Sequence, residues 1–127
     1  MTTRDPMEVT HEHLSDAVTV IRVAGDVTVY GAPVLRATLL DLLRQGRSRL
    51  IVDLSRSGHL DSTGLGEVTR GAARSRAQGG ALVLVFTEER IGKILRVTGL
   101  VKAVLVFPTV ARAVEHLARP EQSAGPR

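Results

Sequence analysis

Leu50-Ile51-Val52-Asp53-Leu54, and after a gap of six residues Asp61-Ser62-Thr63-Gly64-Leu65-Gly66, read as a strand giving way to a helix. The first run is apolar and of strand length, as expected of a strand covered on both faces. Leu65 to Ala77 reads as the helix that follows. A hydroxyl between them stands at the positive end of a helix, beside a carboxylate and against two glycines. Such a place accepts an anion, and a phosphate on Ser62 is the obvious candidate. The plain alternative is a helix N-cap, in which the Ser62 oxygen accepts a backbone N–H and contributes about 1 kcal/mol.

Working outward from that point, the same alternation recurs. Glu8 to Leu14 is expected as an edge strand with Val9, His11 and His13 on one side, and Val18 to Val23 as its hairpin partner across Ser15-Asp16. Ala32, Leu35, Leu39, Leu42 and Leu43 repeat at helical spacing and predict a first helix over Ala32 to Gln45. Pro33 suits its first turn and Gly46 the position after its end. The second helix is expected from Gly64 to Gln78, with an apolar stripe of Leu65, Val68 and Ala72, Ala73 beside it, and Gly79-Gly80 as its stop. Ala81 to Phe86 is a buried strand. A short third helix is expected over Glu88 to Val97, between Thr87 as cap and Gly99 as stop. A last strand, Ala103 to Phe107, and a final helix capped by Thr109, with stripe Val110, Ala113, Val114 and Leu117, complete the order ββαβαβαβα. The expectation is a single α/β domain over residues 8–118 with four helices and a mixed, mostly parallel sheet opened by an N-terminal hairpin. Residues 1–7 read as a flexible leader and 119–127 as a disordered tail.

Composition narrows the function classes. The chain has 127 residues, suited to one core, and its formal net charge is +4. It has no Cys, which removes disulfides, thiolate metal sites and thiol catalysis, and which fits a reducing compartment. Met1 to Pro6 is no signal peptide, and no apolar run approaches the roughly 20 residues that span a bilayer. A cytoplasmic protein without membrane contact is expected. Only Tyr30, Phe86 and Phe107 are aromatic, so the core must be aliphatic. The basic residues are dispersed, with Arg70, Arg74 and Arg76 close together on one helix. That is no nucleic-acid stripe, and there are no aromatic stacking platforms. The four histidines lack metal-ligand spacing. No cofactor or metal is expected.

Several pieces together resemble the STAS domain, and within it the bacterial anti-sigma factor antagonists. They are Gly25-Asp26-Val27, Val52-Asp53-Leu54-Ser55, Leu60-Asp61-Ser62-Thr63-Gly64-Leu65-Gly66, Gly79-Gly80 and Thr98-Gly99-Leu100, in that order. The resemblance covers roughly residues 8–118, and its specific element is Asp-Ser-Thr-Gly-Leu-Gly. It implies that Ser62 is phosphorylated by an anti-sigma factor that is an ATP-dependent protein kinase. It also implies that the unphosphorylated form binds that factor and frees a sigma factor, and that a serine phosphatase resets the switch. Asp26, Asp61, Thr63, Gly64, Leu65 and Gly66 are then expected to meet the partner, with Gly64 and Gly66 admitting its backbone. Two positions depart from the family pattern. Thr28 stands where many members carry a second acid. Glu67 stands where an apolar residue is common, which predicts a more exposed start to the second helix.

Other classes make different demands. A Ser-His-Asp hydrolase would need His59, Asp61 and Ser62 to converge in space, and no Gly-x-Ser-x-Gly elbow is present. A nucleotide-binding module would want a P-loop, which is absent. A STAS scaffold or assembly module would use the same fold without phosphorylation. Asp53, at the end of a buried strand, is expected to be a structural hydrogen-bonder.

Overall fold

The computed structural model describes residues 7–86 and 104–118. Its strands are β1 Glu8–His13, β2 Val18–Ala24, β3 Arg49–Arg56, β4 Ala81–Val85 and β5 Val106–Phe107. The helices among the described residues are α1 Ala32–Arg44, α2 Ser62–Ala77 and α3 Val110–Leu117. One sheet holds all five strands in the order β1-β2-β3-β4-β5. β1 runs antiparallel to β2, and every later pairing is parallel. The architecture is the mixed sheet with an N-terminal hairpin that the sequence predicts. The expected third helix over Glu88 to Val97, with Thr87, Gly99 and the Thr98-Gly99-Leu100 piece, lies outside the described residues. So do residues 1–6 of the leader and the tail at 119–127.

The period-2 rule divides each inner strand between two cores. Ile21, Val23, Leu50, Val52, Leu54, Leu82 and Leu84 face one way and meet Leu35, Leu39 and Leu42 of α1 and Val68 and Ala72 of α2. Val18, Val20, Ile51, Val83 and Val85 face the other way and meet Ala113 and Leu117 of α3. Both faces are covered, so these strands have no need of polar alternation. Each fully buried Leu, Ile or Val contributes on the order of 1.5–3 kcal/mol of burial. Right-handed crossovers between neighbouring parallel strands place α1 and α2 on the same face. The short β5 leads directly into α3, whose N-cap Thr109 accepts a bond from Arg112 N–H at 3.1 Å as expected.

Local chemistry sets the joints. The hairpin turn is closed by Ser15, whose Oγ accepts from the N–H groups of Ala17 and Val18 at 3.1 and 3.0 Å. Gly46 and Gly79, just past α1 and α2, have φ of +84° and +85°, a conformation that favours glycine. Asp53 accepts from Ser55 N–H at 2.9 Å, the structural role expected of it. Met7, assigned to the leader by sequence, is half-buried and packs against the core.

The stripe of α2 is the element most changed. Its buried face is Gly64, Glu67, Val68, Gly71, Ala72 and Ser75, whereas Leu65 is half-buried and Ala73 is exposed. The reason is distance. A Cβ on Gly71 would stand 3.0 Å from Leu39 Cδ1 and 3.1 Å from Leu82 Cδ1. The helix lies close on its neighbours, so small residues occupy the centre of the contact and Leu65 sits at its margin. No described helix is long and apolar enough to cross a membrane.

Candidate functional site

Asp61 is the organising residue. It is the N-cap of α2, with extended backbone at φ −89° and ψ −178°. Its Oδ1 accepts from Thr63 N–H at 2.9 Å and Gly64 N–H at 3.0 Å, and its carbonyl starts the helix by accepting Leu65 N–H at 2.9 Å. Its Oδ2 accepts from Val29 N–H at 3.0 Å, in the loop between β2 and α1. One carboxylate therefore serves two segments 32 residues apart in sequence. The same joint is made on the backbone by Val27. Its N–H donates to the His59 carbonyl at 2.9 Å, and its carbonyl accepts Asp61 N–H at 3.0 Å.

Two expectations are corrected here. The helix begins at Ser62 and not at Gly64, and its cap is Asp61 and not Ser62. A carboxylate that reaches two helix N–H groups and one loop N–H outcompetes a neighbouring hydroxyl for the same donors. Ser62 becomes the first helical residue. It is exposed, and its hydroxyl makes no hydrogen bond to any described residue. Thr63 is half-buried beside it.

The glycines part company. Gly64 is buried, and a Cβ there would meet Leu60 Cδ1 and Val27 Cγ1 at 2.7 Å. Close packing against Leu60 and Val27 is by itself a reason for glycine at this position. Gly66 is half-buried, and the group nearest its missing side chain is the Arg70 guanidinium, with Nη2 at 3.2 Å. Glu67 reverses the expectation of exposure. It is 7 % exposed, and its Oε2 is paired with Arg70 Nη2 at 2.9 Å. Its Oε1 is buried without a hydrogen-bond partner. Pairing within one helix turn is what allows a charged residue here.

The loop after β2 completes the surface. Asp26 is exposed next to Val27, which places it beside the Asp61 joint. Thr28 replaces the family's second acid with turn chemistry: its Oγ1 accepts Tyr30 N–H at 3.2 Å, and its carbonyl accepts Ala32 N–H at 2.8 Å. The turn turns large apolar side chains outward. Tyr30 is 90 % exposed, and Val29 and Val34 are about half exposed. Sequence reasoning did not single out these three, although a lone Tyr amid valines in a short loop was a readable signal. The Ser-His-Asp alternative finds no geometry, because both Asp61 oxygens are held by backbone amides and Ser62 makes no bond to His59. Among the described residues there is no cluster of three metal-ligating side chains.

The polar motif thus sits on an exposed helix start beside exposed Val29 and Tyr30. The family model described as "Mlab, STAS domain" matches residues 10–107, and the chain belongs to the STAS domain family. The anti-sigma-B factor antagonist of Bacillus subtilis (strain 168) is 39 % identical over 80 residues, covering 63 % of this chain and 72 % of that one. Two solved structures are similar in fold. An anti-sigma factor antagonist from Mycobacterium paratuberculosis superposes with TM-score 0.83 at 23 % identity, covering 94 % of this chain and 100 % of that one. The Bacillus cell fate determinant SpoIIAA in its phosphorylated form gives TM-score 0.68 at 22 % identity, covering 86 % and 98 %.

Proposed function

We propose that this chain is an anti-sigma factor antagonist, a regulatory binding protein and not an enzyme, switched by phosphate on Ser62. In this reading the unphosphorylated form docks on an anti-sigma factor kinase and so releases a sigma factor. The kinase then moves the γ-phosphoryl group of ATP to the Ser62 oxygen, ADP leaves, and the docked state is lost. A serine phosphatase returns the protein to the binding form.

The observation that carries the reading is the state of the Ser62 hydroxyl. It is exposed, unpartnered and fixed at the first position of a helix whose cap is supplied by its neighbour. A phosphate can be added there without breaking any bond of the fold. The family membership and the B. subtilis relative's name support the same reading.

The docking face is Ser62 with Asp26, Asp61, Thr63, Leu65 and Gly66, extended by Tyr30, Val29 and Val34. A phosphate adds about −1.5 to −2 charges in the middle of that face. Desolvating a dianion against an apolar surface is costly, and a penalty of about 3 kcal/mol weakens binding roughly 100-fold. The switch therefore works by blocking docking and not by refolding.

The test is incubation of the protein, and of Ser62→Ala, with candidate anti-sigma factor kinases and ATP, followed by intact mass and site mapping. One phosphate on Ser62, absent from the variant and accompanied by loss of kinase binding, is the expected result. No phosphate from any such kinase, with large stable assemblies instead, would replace this reading with that of a STAS scaffold.

A further inference from the structure

We propose that Arg70 is the receptor of the Ser62 phosphate within this same chain, reaching it across the bare Cα of Gly66. The inference rests on the phosphoserine reading and adds what happens to the phosphate once it is there. Ser62, Gly66 and Arg70 stand at successive steps of four along α2, so they lie along one helix face. Side chains four apart on a helix have Cβ atoms about 5–6 Å from one another. Helical side chains lean toward the N-terminus, which is the direction of Ser62 from Arg70.

Arg70 follows that lean. The Arg70 guanidinium lies over Gly66, with Nη2, Nη1 and Cζ at 3.2, 3.6 and 3.7 Å from the position of the missing Cβ. Any side chain at 66 would stand between Ser62 and Arg70. With glycine there, the corridor is open. The guanidinium is anchored at this spot by Glu67, whose Oε2 holds Nη2 at 2.9 Å. Glu67 is buried, whereas the Arg70 side chain is 54 % exposed. A guanidinium has five N–H donors in a planar fork. One amino group can therefore stay on Glu67 while the others face outward to a phosphate oxygen, the geometry in which Arg binds phosphate best.

The helix start itself offers the phosphate less than its dipole suggests. The N–H groups of Thr63 and Gly64 already donate to Asp61 Oδ1. The Asp61 and Glu67 carboxylates also repel a second anion. Arg70 is the cation that α2 directs toward this point, and the anchored guanidinium needs little ordering to engage. Functionally, the pairing folds the phosphate back along α2, holds it in one position on the docking face, and shields it from a phosphatase.

The experiment installs phosphoserine at position 62 during synthesis, so it needs no kinase. Phosphorus NMR then follows the second ionisation of the phosphate, ordinarily near pH 6. Asp61 and Glu67 raise that value and Arg70 lowers it. In Arg70→Gln it is expected to rise by about half a unit or more. Gly66→Ala, which keeps both charged residues and suits a helix, is expected to raise it by less than Arg70→Gln does, because its Cβ asks the guanidinium to give by only a few tenths of an ångström. Arg74→Gln, one turn further along, is the control and should leave it unmoved. Arg70→Gln leaves Glu67 buried without its partner, so the Arg70→Gln/Glu67→Gln double variant, compared with Glu67→Gln alone, secures the reading if the single variant unfolds. Superimposed titrations for the parent and Arg70→Gln would overturn the proposal. Failure of every kinase to modify Ser62 would instead remove the antagonist reading and leave this measurement as decisive as before.

Discussion

The Asp61 carboxylate accepts three backbone N–H groups, two at the start of α2 and one from Val29. Asp61→Ala leaves all three without that acceptor, and its expected cost is about 2 kcal/mol, the upper part of the range for a lost cap. Ser62 makes no bond to a described residue, so Ser62→Ala should change stability by less than about 0.5 kcal/mol. Urea denaturation of the two variants checks both values. A loss near 1 kcal/mol for Ser62→Ala would return the capping role to the serine. Sequence placed the right residues at this junction but offered the cap to Ser62, where the structure gives it to Asp61. Asp and Ser are comparable caps. What separates them is the third bond to Val29, a long-range contact that no local pattern contains. Glu67 was misjudged for a related reason. Its charge reads as exposure, whereas Arg70, three residues on in the same helix, pairs with it while the fold buries it.

At the scale of elements, the loop from Asp26 to Gly31 and the first turns of α2 behave as one unit. The Val27–Leu60 bridge and the Asp61–Val29 bond tie them edge to edge. That unit carries Tyr30 at 90 % exposure, and the side chain contributes little to the core. Tyr30→Ser should therefore leave the melting temperature unchanged. If Tyr30 extends the proposed docking face, the same substitution should weaken anti-sigma factor binding at least tenfold, or about 1.4 kcal/mol, as expected for an exposed aromatic that becomes buried at an interface. Since the chain has one Tyr, isotope labelling of tyrosine in this chain alone gives a ring NMR signal that reports docking on this loop. A ring signal that stays unmoved while binding is recorded by calorimetry would put the interface elsewhere. The strands and α1 around this unit were legible from apolar residues, because every inner strand is buried on both faces and α1 keeps a strict stripe. The stripe of α2 was not, since glycine, alanine and serine carry no hydropathy signal at the positions where close approach selects them.

For the molecule as a whole, the two cores are unequal in their cover. α1 and α2 share one face of the sheet, and α3 is the sole described helix on the other. Leu117 is buried there at 4 % exposure, so Leu117→Ala should cost about 2–5 kcal/mol. Thermal unfolding of the variant measures it, and a change near zero would mean that α3 is an accessory to the second core. The order of the strands gives this arrangement a direction in time. Each strand pairs with the one synthesised before it, so the sheet can grow from the N-terminus as the chain leaves the ribosome. Among the described residues, the helix that covers its second face comes last. Val18, Val20, Ile51, Val83 and Val85 wait for a helix that ends at residue 117. During translation, or after a nonsense mutation upstream of α3, the cell would meet a nearly finished sheet whose second face lacks this helix, and exposed apolar surface is what chaperones and proteases recognise.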